Sequence, residues 1–521
     1  MVEKKVILVN GNRIQTPAIF PYGVWILESA LQDKGIDCRV VDACFCSDEE
    51  VSNKMDKALE ELQVSPENTI VGYSIRNVFS INTSQTWNAV HEISPIDESS
   101  FIPAHQNLVD LVSKKIPLKN IILGGAGFSI FPDTMLRRTG AKTGVIGAGE
   151  RIFPQIIKNL EKGKSLDNLP YITQRRKPYF KGKTDLSDFN PSLNVPSEIL
   201  LKYEQKGGTI ALRISNGCLP TKKCVYCPET FSKGETCTFG LEGIINQIKF
   251  YHEAGIRNLH FANSQDNIFP RLFEQVCQRI TQEGLNDIAY WCYMQPKPIT
   301  QKLVAQAKKA NVKGIYFGSE HASDSFLRKG GRDYCYQDSV TATKICGEEG
   351  LEALAHSWVF GLPGESRDSI FYTQDKSLEL RDLFLSLNPE GIFVSESNVG
   401  IGLYPGTYLV NEKIIQESLN ERDPLMRAQK YGIYCSGIPL EDPTIFLDSN
   451  IQFPEILSDL RIKYASELKH LMIPTNEKTI SDYDLINSPR VKQAKKLGAY
   501  WAQYPEMFEE EASKKNILQI S

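Results

Sequence analysis

Three cysteines lie within ten positions of a single segment, NGCLPTKKCVYCPE, at residues 216–229. They are Cys218, Cys224 and Cys227, and an aromatic residue, Tyr226, directly precedes the last one. Clustered thiolates bind soft metals. A structural zinc site closes with four protein ligands, whereas a 4Fe-4S cluster held by three thiolates leaves one iron open to another ligand. The spacing alone leaves three interpretations: an open cluster, a zinc site completed by Cys237 or a distant histidine, and a chance grouping.

The chain has twelve cysteines, and most of the others lie in or beside apolar runs. We expect these to be small buried side chains rather than ligands: Cys38, Cys44, Cys46, Cys277, Cys292, Cys346 and Cys435. The first apolar run, after MVEKK, is too short for a signal peptide and predicts a strand. No window approaches the ~20 apolar residues of a membrane span. We therefore expect a cytoplasmic protein with reduced thiols.

The length and charge of the chain limit the classes of protein to consider. At 521 residues the chain is too long for one core, so two or three domains are expected. Its apolar and charged contents, 41% and 23%, are typical of a soluble globular protein. A net charge of −4 argues against a general nucleic-acid binder, which would carry a basic excess.

Two long regions alternate strand and helix patterns. In residues 1–165, runs such as KKVILVN, CRVVDA and NTIVGYSIR predict five parallel strands with helices on both faces. Ligands of such sheets bind at the carboxyl ends of the strands. The glycines of this region fall at those ends: Gly72, Gly124, Gly125, Gly127, Gly147 and Gly149. Residues 166–207 lack periodicity and are predicted to be a linker on the surface.

The second region, residues 208–420, predicts six strands with intervening helices, from TIALRIS to GIFVSES. This number of units favours a barrel or a three-quarter barrel, in which functional residues lie on the loops after the strands. The cysteine segment occupies the loop after the first of these strands. That position favours an open cluster, because an open iron is useful at the mouth of a barrel. Residues 421–521 have a helical pattern.

This arrangement resembles the radical S-adenosylmethionine (SAM) enzymes. Their signature is three cysteines after the first barrel strand, usually Cys-x3-Cys-x2-Cys with an aromatic residue before the last; here it reads Cys-x5-Cys-x2-Cys. FGLPGES (360–366) resembles the turn that lies by the adenine in that family. FGSEHASDSFLRKGG resembles the segment whose acid hydrogen-bonds the ribose. The resemblance implies cluster ligands at the three cysteines and SAM contacts at Tyr226, Asn263, Ser264, Glu320, Gly361, Pro363 and Gly364.

Residues 1–165 resemble the doubly wound, flavodoxin-like cobalamin-binding domain of one subgroup, the class B radical SAM methyltransferases. The segments that carry this likeness include VGYSIRNV, ILGGAGFSIFPD and GVIGAGE. The Asp-x-His-x-x-Gly motif, whose histidine ligates cobalt in other cobalamin enzymes, is absent. The resemblance then implies cobalamin with no histidine on its lower face, where Arg76 and Asn77 would lie. The implied cobalamin contacts are Ser74, Arg76, Asn77, Gly124, Gly125, Gly127, Gly147 and Glu150.

The resemblance implies an α/β enzyme with 4Fe-4S, SAM and cobalamin cofactors. Such an enzyme cleaves SAM to a 5'-deoxyadenosyl radical and methylates an unactivated carbon of a small molecule, with electrons from a flavodoxin or ferredoxin. Tyr293, His321 and His356 end barrel strands and are candidates to face the substrate. Two other functions stay open: radical cyclisation, rearrangement or carbon–carbon coupling without methyl transfer, and a cobalamin-binding sensor with a structural metal.

Overall fold

The computed structural model of the chain describes residues 3–13, 18–76, 102–164, 172–173, 189–206, 208–218, 224–227, 229, 236–360, 367–399, 433–435 and 445–447. Within these ranges the chain forms two large sheets, one from each of the two predicted regions. No helix in the described ranges is long and apolar enough to cross a membrane.

The first sheet has the strand order β2-β1-β3-β4-β5-β6. Its strands are β1 Lys5–Asn10, β2 Cys38–Asp42, β3 Thr69–Ser74, β4 Ile121–Gly124, β5 Thr143–Val145 and β6 Ile172–Thr173. The first five are parallel, as predicted, and β6 adds an antiparallel edge. The strand order reverses between β1 and β3, so the carboxyl ends of these two strands flank the crevice where doubly wound sheets bind ligands.

Helices cover both faces of the first sheet. They are α1 Tyr22–Gln32, α2 Asp48–Leu62, α3 Ile102–Ser113, α4 Ala126–Ile130, α5 Pro132–Thr139 and α6 Ile152–Glu161. One core joins α2, α3 and α5 to the sheet, and a second joins α1 and α6 to its other face. The start of α2 is fixed by a capping box, in which Ser47 and Glu50 each accept a backbone N–H of the other residue. The doubly wound architecture predicted for this region is therefore present.

The second sheet has six parallel strands in the order β14-β13-β12-β11-β10-β7. They are β7 Ala211–Leu212, β10 Asn258–Phe261, β11 Ala289–Met294, β12 Val312–Glu320, β13 Ala353–Phe360 and β14 Ile392–Val399. A short antiparallel pair, β8 Ser215–Asn216 and β9 Cys237–Thr238, follows β7. The helices are α7 Ser197–Gln205, α8 Leu241–Glu253, α9 Pro270–Gln282, α10 Gln301–Lys309, α11 Asp324–Lys329, α12 Tyr336–Glu348 and α13 Arg367–Leu387.

Side chains alternate between the two faces of this second sheet. On β11, Tyr290, Cys292 and Met294 join the core shared with the helices. Trp291 and Tyr293 therefore lie on the opposite, inner face. The ring of Tyr293 contacts Tyr316 of β12, with the ring centroids 5.0 Å apart. The inner face is thus aromatic along β11 and β12.

The predicted surface linker is more deeply built into the fold than expected. Helix α7 lies within it, and Tyr203 of this helix is buried in the same core as Phe20 of the first domain and Ile244 of the second. The Tyr203 hydroxyl donates to Asp42 Oδ2 at 2.9 Å. The surface expectation was wrong for these residues because their apolar side chains fill the space between the two domains.

Beyond residue 420 the structure describes only β15 Ile433–Cys435 and β16 Ile445–Leu447, an antiparallel pair. These strands depart from the helical pattern predicted for 421–521. The two segments with the strongest helical pattern lie outside the described residues.

Candidate active site

The cysteine segment is held by residues beside two strands and one helix, which are β10, β9 and α11. Asn263, after β10, accepts the backbone N–H groups of Ile214 and Ser215 with Oδ1, at 3.0 and 2.9 Å. Thr236, just before β9, donates its hydroxyl to the carbonyl of Cys218 at 2.8 Å. On the other side, the N–H of Val225 donates to the carbonyl of Gly330 at 3.1 Å. The backbone on both sides of the undescribed residues 219–223 is therefore anchored to the barrel.

Burial raises the pKa of both the Cys224 thiol and the Cys227 thiol. The positive charge of Arg332 acts in the opposite direction on both. Metal binding requires the thiolate and displaces the proton. A half-buried segment with sulfur donors and a nearby fixed cation suits an anionic iron–sulfur cluster. The eleven cysteines whose side chains the structure describes form no disulfide, and among the described residues no three His, Cys, Asp or Glu side chains converge as ligands of a single metal ion.

Tyr226, inside the cysteine segment, is joined to the fourth barrel strand by hydrogen bonds. Its hydroxyl donates to Glu320 Oε2 at 2.8 Å and accepts from Arg332 Nη2 at 3.2 Å. Arg332 also pairs with Glu320 Oε1, and the two side chains are 11% and 13% exposed. The guanidinium carbon of Arg332 lies 5.8 Å from the centre of the Tyr226 ring. We refer to Tyr226, Glu320 and Arg332 as the triad.

The backbone of β12 is irregular where it delivers Glu320 to the triad. Glu320 has a φ of +63°, and the pairing of β12 with β13 shifts register between Gly318 and Glu320. A left-handed conformation is uncommon for a residue with a side chain. The Tyr334 hydroxyl donates to the Gly318 carbonyl at 2.6 Å and anchors β12 two residues before Glu320. The strand end is thus bent so that the carboxylate of Glu320 meets the cysteine segment.

The three predicted substrate-facing residues separate into two groups. Tyr293 lies on the inner face, where it can contact a substrate. His356 lies on the outer face, and its two ring nitrogens are within 2.7 Å of Ser319 Oγ and 3.0 Å of Thr343 Oγ1. Burial lowers its pKa to about 3, so its ring is neutral. His321 is 1% exposed, and its Nδ1 accepts the Ser323 N–H at 2.8 Å. These contacts give both histidines roles in packing.

The hydrogen bonds of Asn263 position the backbone at the start of the cysteine segment. Besides accepting two backbone N–H groups, Asn263 donates to Asp266, whose other oxygen accepts the Tyr293 N–H at 2.7 Å. Asp266 is 1% exposed, and burial raises its pKa well above the usual range. This chain of bonds connects the start of the cysteine segment to β11. Ser264 lies beside it at the same strand end and stays a predicted SAM contact, whereas Gly361, Pro363 and Gly364 lie outside the described residues.

In the first domain, the predicted cobalamin residues gather at the ligand-binding crevice. Ser74 ends β3, and the backbone N–H of Arg76 donates to Asn12 Oδ1 at 3.0 Å. Asn12 in turn donates to Asn10 Oδ1 at 2.9 Å, and Asn10 donates to Asp42 Oδ1 at 2.8 Å. A buried polar chain therefore runs from Asp42 to the backbone of Arg76. Asn77 lies outside the described residues.

The glycines at this edge do not all serve the same purpose. A Cβ on Gly125 would lie 2.4 Å from the Ile75 carbonyl, and its φ of +99° also requires glycine, so packing alone explains it. A Cβ on Gly124 would meet nothing closer than the Val145 carbonyl, at 3.8 Å. The described residues around position 124 therefore do not require glycine there. The space beside it fits the close approach of a bulky ligand.

Gly127 and Gly147 hold the neighbouring loops. The N–H of Gly127 donates to the Ile75 carbonyl at 3.0 Å. The N–H of Gly147 donates to Ser129 Oγ at 2.9 Å, and this hydroxyl donates to the Gly125 carbonyl at 2.8 Å. These bonds fix the loops after β4 and β5 against each other. Glu150, at the end of the second loop, pairs with Arg213 of the barrel at 3.1 Å.

Sequence reasoning missed Arg332, Arg213 and the Asp42–Asn10–Asn12 chain. Arg332 is twelve residues from Glu320, and Arg213 is 63 residues from Glu150, so no local pattern connects them. The available signal was positional: Asn10 and Asp42 both end strands at the predicted ligand edge. Polar residues at neighbouring strand ends indicate a shared site.

Residues 212–375 match the family model described as "Radical SAM superfamily". The chain therefore carries a radical SAM domain, and the resemblance predicted from the cysteine segment is confirmed. A tryptophan 2-C-methyltransferase from Streptomyces laurentii is 22% identical over 442 residues, which cover 72% of this chain and 70% of the relative.

Two solved structures share the whole architecture. The radical SAM methyltransferase TsrM from Kitasatospora setae, solved with cobalamin and a 4Fe-4S cluster, has a TM-score of 0.73 at 19% identity and covers 98% of this chain and 99% of its own. OxsB, a cobalamin-dependent SAM radical enzyme, has a TM-score of 0.67 at 15% identity and covers 97% of this chain and 71% of its own. The predicted combination of a doubly wound domain and a partial barrel is confirmed.

Proposed function

We propose that the chain is a cobalamin-dependent radical SAM methyltransferase acting on a small molecule. The observation that carries the proposal is the bond from Tyr226 to Glu320. It joins the cysteine segment to the acid that the family resemblance assigns to the ribose of SAM. The likeness to proteins that methylate tryptophan, or that bind cobalamin and a 4Fe-4S cluster, supports this reading.

Each cofactor would bind to a defined set of residues. Cys218, Cys224 and Cys227 would hold the cluster, and the edge formed by Ser74, Arg76 and Gly124 would hold cobalamin. When bound, the cluster and SAM supply one-electron chemistry, and cobalamin supplies the methyl group. An external one-electron donor of the flavodoxin or ferredoxin class completes the system.

The described residues would bind and orient the substrates of the reaction. Glu320 can accept hydrogen bonds from ribose hydroxyls, since a carboxylate offers two oxygens with several acceptor positions. Arg332 holds that carboxylate in one orientation and places a positive charge by the cysteine segment. Tyr293 and Tyr316 form an apolar wall on the inner face, which excludes water from the reacting carbon.

The decisive experiment compares Cys224→Ala with Cys237→Ala after anaerobic reconstitution with iron and sulfide. Cys237 lies on β9, opposite Asn216 and close to the cluster segment, and it is the thiol that a four-ligand zinc site would use. We expect Cys224→Ala to lose the cluster absorbance and all consumption of SAM with dithionite. We expect Cys237→Ala to keep iron and sulfide near the wild-type values.

Several outcomes would contradict the proposal. One equivalent of zinc with no sulfide, lost in both variants, would indicate a structural metal. Failure of the wild-type chain to retain hydroxocobalamin would remove the cobalamin assignment. With a candidate substrate, a product heavier by one methylene unit would support methyl transfer, and an unchanged mass would favour rearrangement.

A further inference from the structure

A buried carboxylate at the boundary between the two domains has one oxygen without a hydrogen-bond partner among the described residues. Glu150 follows β5 at the carboxyl edge of the first sheet and is 7% exposed. Its Oε1 accepts from Arg213 Nη2 at 3.1 Å, whereas its Oε2 is buried with no hydrogen-bond partner among the described residues. Native proteins rarely bury an acceptor in this state. The oxygen is therefore suited to a donor that arrives with a ligand.

Arg213 fixes the orientation of that carboxylate. Its Nη1 donates to Asn216 Oδ1 at 3.0 Å, two residues before Cys218. Its guanidinium carbon lies 5.4 Å from the ring centre of Tyr22 and 5.8 Å from that of Phe239. A planar guanidinium held on several sides is preorganised for its partner. If the Glu150 carboxylate rotated to bring Oε2 to Arg213, the hydrogen bond between Oε1 and Arg213 would be lost.

The position of Glu150 selects the chemistry of the missing donor. It lies at the same sheet edge as Ser74 and Gly124, where the proposed function places cobalamin. The rim of a corrin carries primary amides, whose N–H groups are suitable donors to a carboxylate. We propose that Glu150 Oε2 accepts a corrin amide N–H and that Arg213 is the residue that positions it. This inference rests on the proposed function, because it presumes that cobalamin binds.

Cobalamin monocarboxylic acids provide a direct test, because each isomer replaces one rim amide by a carboxylate. Anaerobic absorbance titrations of the reconstituted chain would compare hydroxocobalamin with the six isomers, a, b, c, d, e and g. We expect wild-type protein to bind one isomer about tenfold or more weakly than the other five, since two carboxylates would then face each other. Glu150→Gln should weaken hydroxocobalamin binding about tenfold and should bind that same isomer better than wild type does.

Three further variants separate positioning from simple structural support. Arg213→Lys keeps the positive charge but loses the planar fork of guanidinium donors, so it should weaken cobalamin binding as Glu150→Gln does. The double variant Arg213→Lys/Glu150→Gln should bind cobalamin no more weakly than the weaker of the two single variants. Glu28→Gln is the matched control. Glu28 is also a buried acid whose Oε2 has no hydrogen-bond partner among the described residues, but its backbone carbonyl accepts from Cys38 at the start of β2, away from the ligand edge. This control should leave all affinities unchanged.

The outcomes distinguish this inference from the proposed function. If wild-type protein binds all six isomers equally, or if Glu150→Gln changes every affinity by the same factor, the contact between Glu150 and a corrin amide is excluded. If wild-type protein binds no cobalamin, the proposed function itself fails. Iron and sulfide content checks that each variant is folded. Should Glu150→Gln not fold, the comparison of isomers on the wild-type chain still decides the question.

Discussion

Replacing Arg332 by methionine should disrupt the triad more than any other single change. Arg332 and Glu320 are 11% and 13% exposed, so the substitution leaves a buried carboxylate with Tyr226 as its remaining described partner. Removing one member of a buried ion pair costs about 3–5 kcal/mol. For a domain the size of the barrel, that loss lowers the unfolding temperature by roughly 6–20 °C. Tyr226→Phe removes the hydrogen bond to Glu320 and the longer one from Arg332 but leaves the ion pair intact, so it should cost less, about 1.5–3 kcal/mol.

Anaerobic calorimetry of Arg332→Met, Glu320→Gln and the double variant would measure this coupling. The double variant removes both charges, so we expect its loss to be smaller than the sum of the single losses by about 2 kcal/mol or more. We also expect Arg332→Met to weaken SAM binding at least tenfold, because Glu320 loses its fixed orientation. Arg328→Met, an exposed arginine on α11, is the matched control.

Two results would refute this reasoning. The first is an unfolding temperature of Arg332→Met within about 2 °C of the wild type, since even a weak buried pair should exceed that shift. The second is strict additivity of the single variants, which would mean that the two side chains do not act as a pair. An unchanged SAM affinity in Arg332→Met would show that the triad is not needed to bind SAM.

Three further predictions concern other parts of the molecule. Burial raises the pKa of Glu28 to about 7, so its ionisation destabilises the folded state increasingly as pH rises from about 4.5. At pH 8 Glu28→Gln should therefore unfold at a higher temperature than wild type, and at pH 4.5 this difference should disappear. Burial lowers the pKa of His356 to about 3, so the stability that its neutral ring contributes should be lost as pH falls from about 6.5 towards 3. In calorimetry, the unfolding temperature of His356→Gln should depend less on pH than that of wild type, and its SAM affinity should be unchanged. Asn12→Ala leaves the Arg76 N–H without its acceptor, so hydroxocobalamin should bind several-fold more weakly by absorbance titration, whereas equal binding would show that Arg76 is held by other contacts.

The sequence predicted the strands well because buried parallel strands are continuous apolar runs bounded by glycine and polar residues. The same alternation could have placed His356 correctly. It occupies the same face of β13 as Leu354 and Trp358, which belong to the core. Tyr293, by contrast, lies between the core residues Cys292 and Met294, so the pattern itself places it on the inner face.

The site contacts were less predictable because they depend on backbone detail. Glu320 reaches Tyr226 through a positive φ and a shift in strand register, which no local pattern of side chains reveals. The bond between Arg213 and Glu150 needs both domains in place. The linker was predicted to be superficial because its few apolar residues, among them Leu200 and Tyr203, are too sparse to form a periodic stripe.

The shared core between the domains has a consequence for how the enzyme would work over many turnovers. Residues 19 and 209 form a parallel bridge, and the Phe20 N–H donates to the Thr209 carbonyl at 2.9 Å. Phe20 and Tyr203 are both fully buried there, and exposing each would cost about 1.5–3 kcal/mol. Hinge opening between the domains is therefore expensive in every cycle. A large corrin held at this boundary would stay in place as a permanent part of the enzyme, so it must be recharged where it lies, and only small molecules would enter and leave.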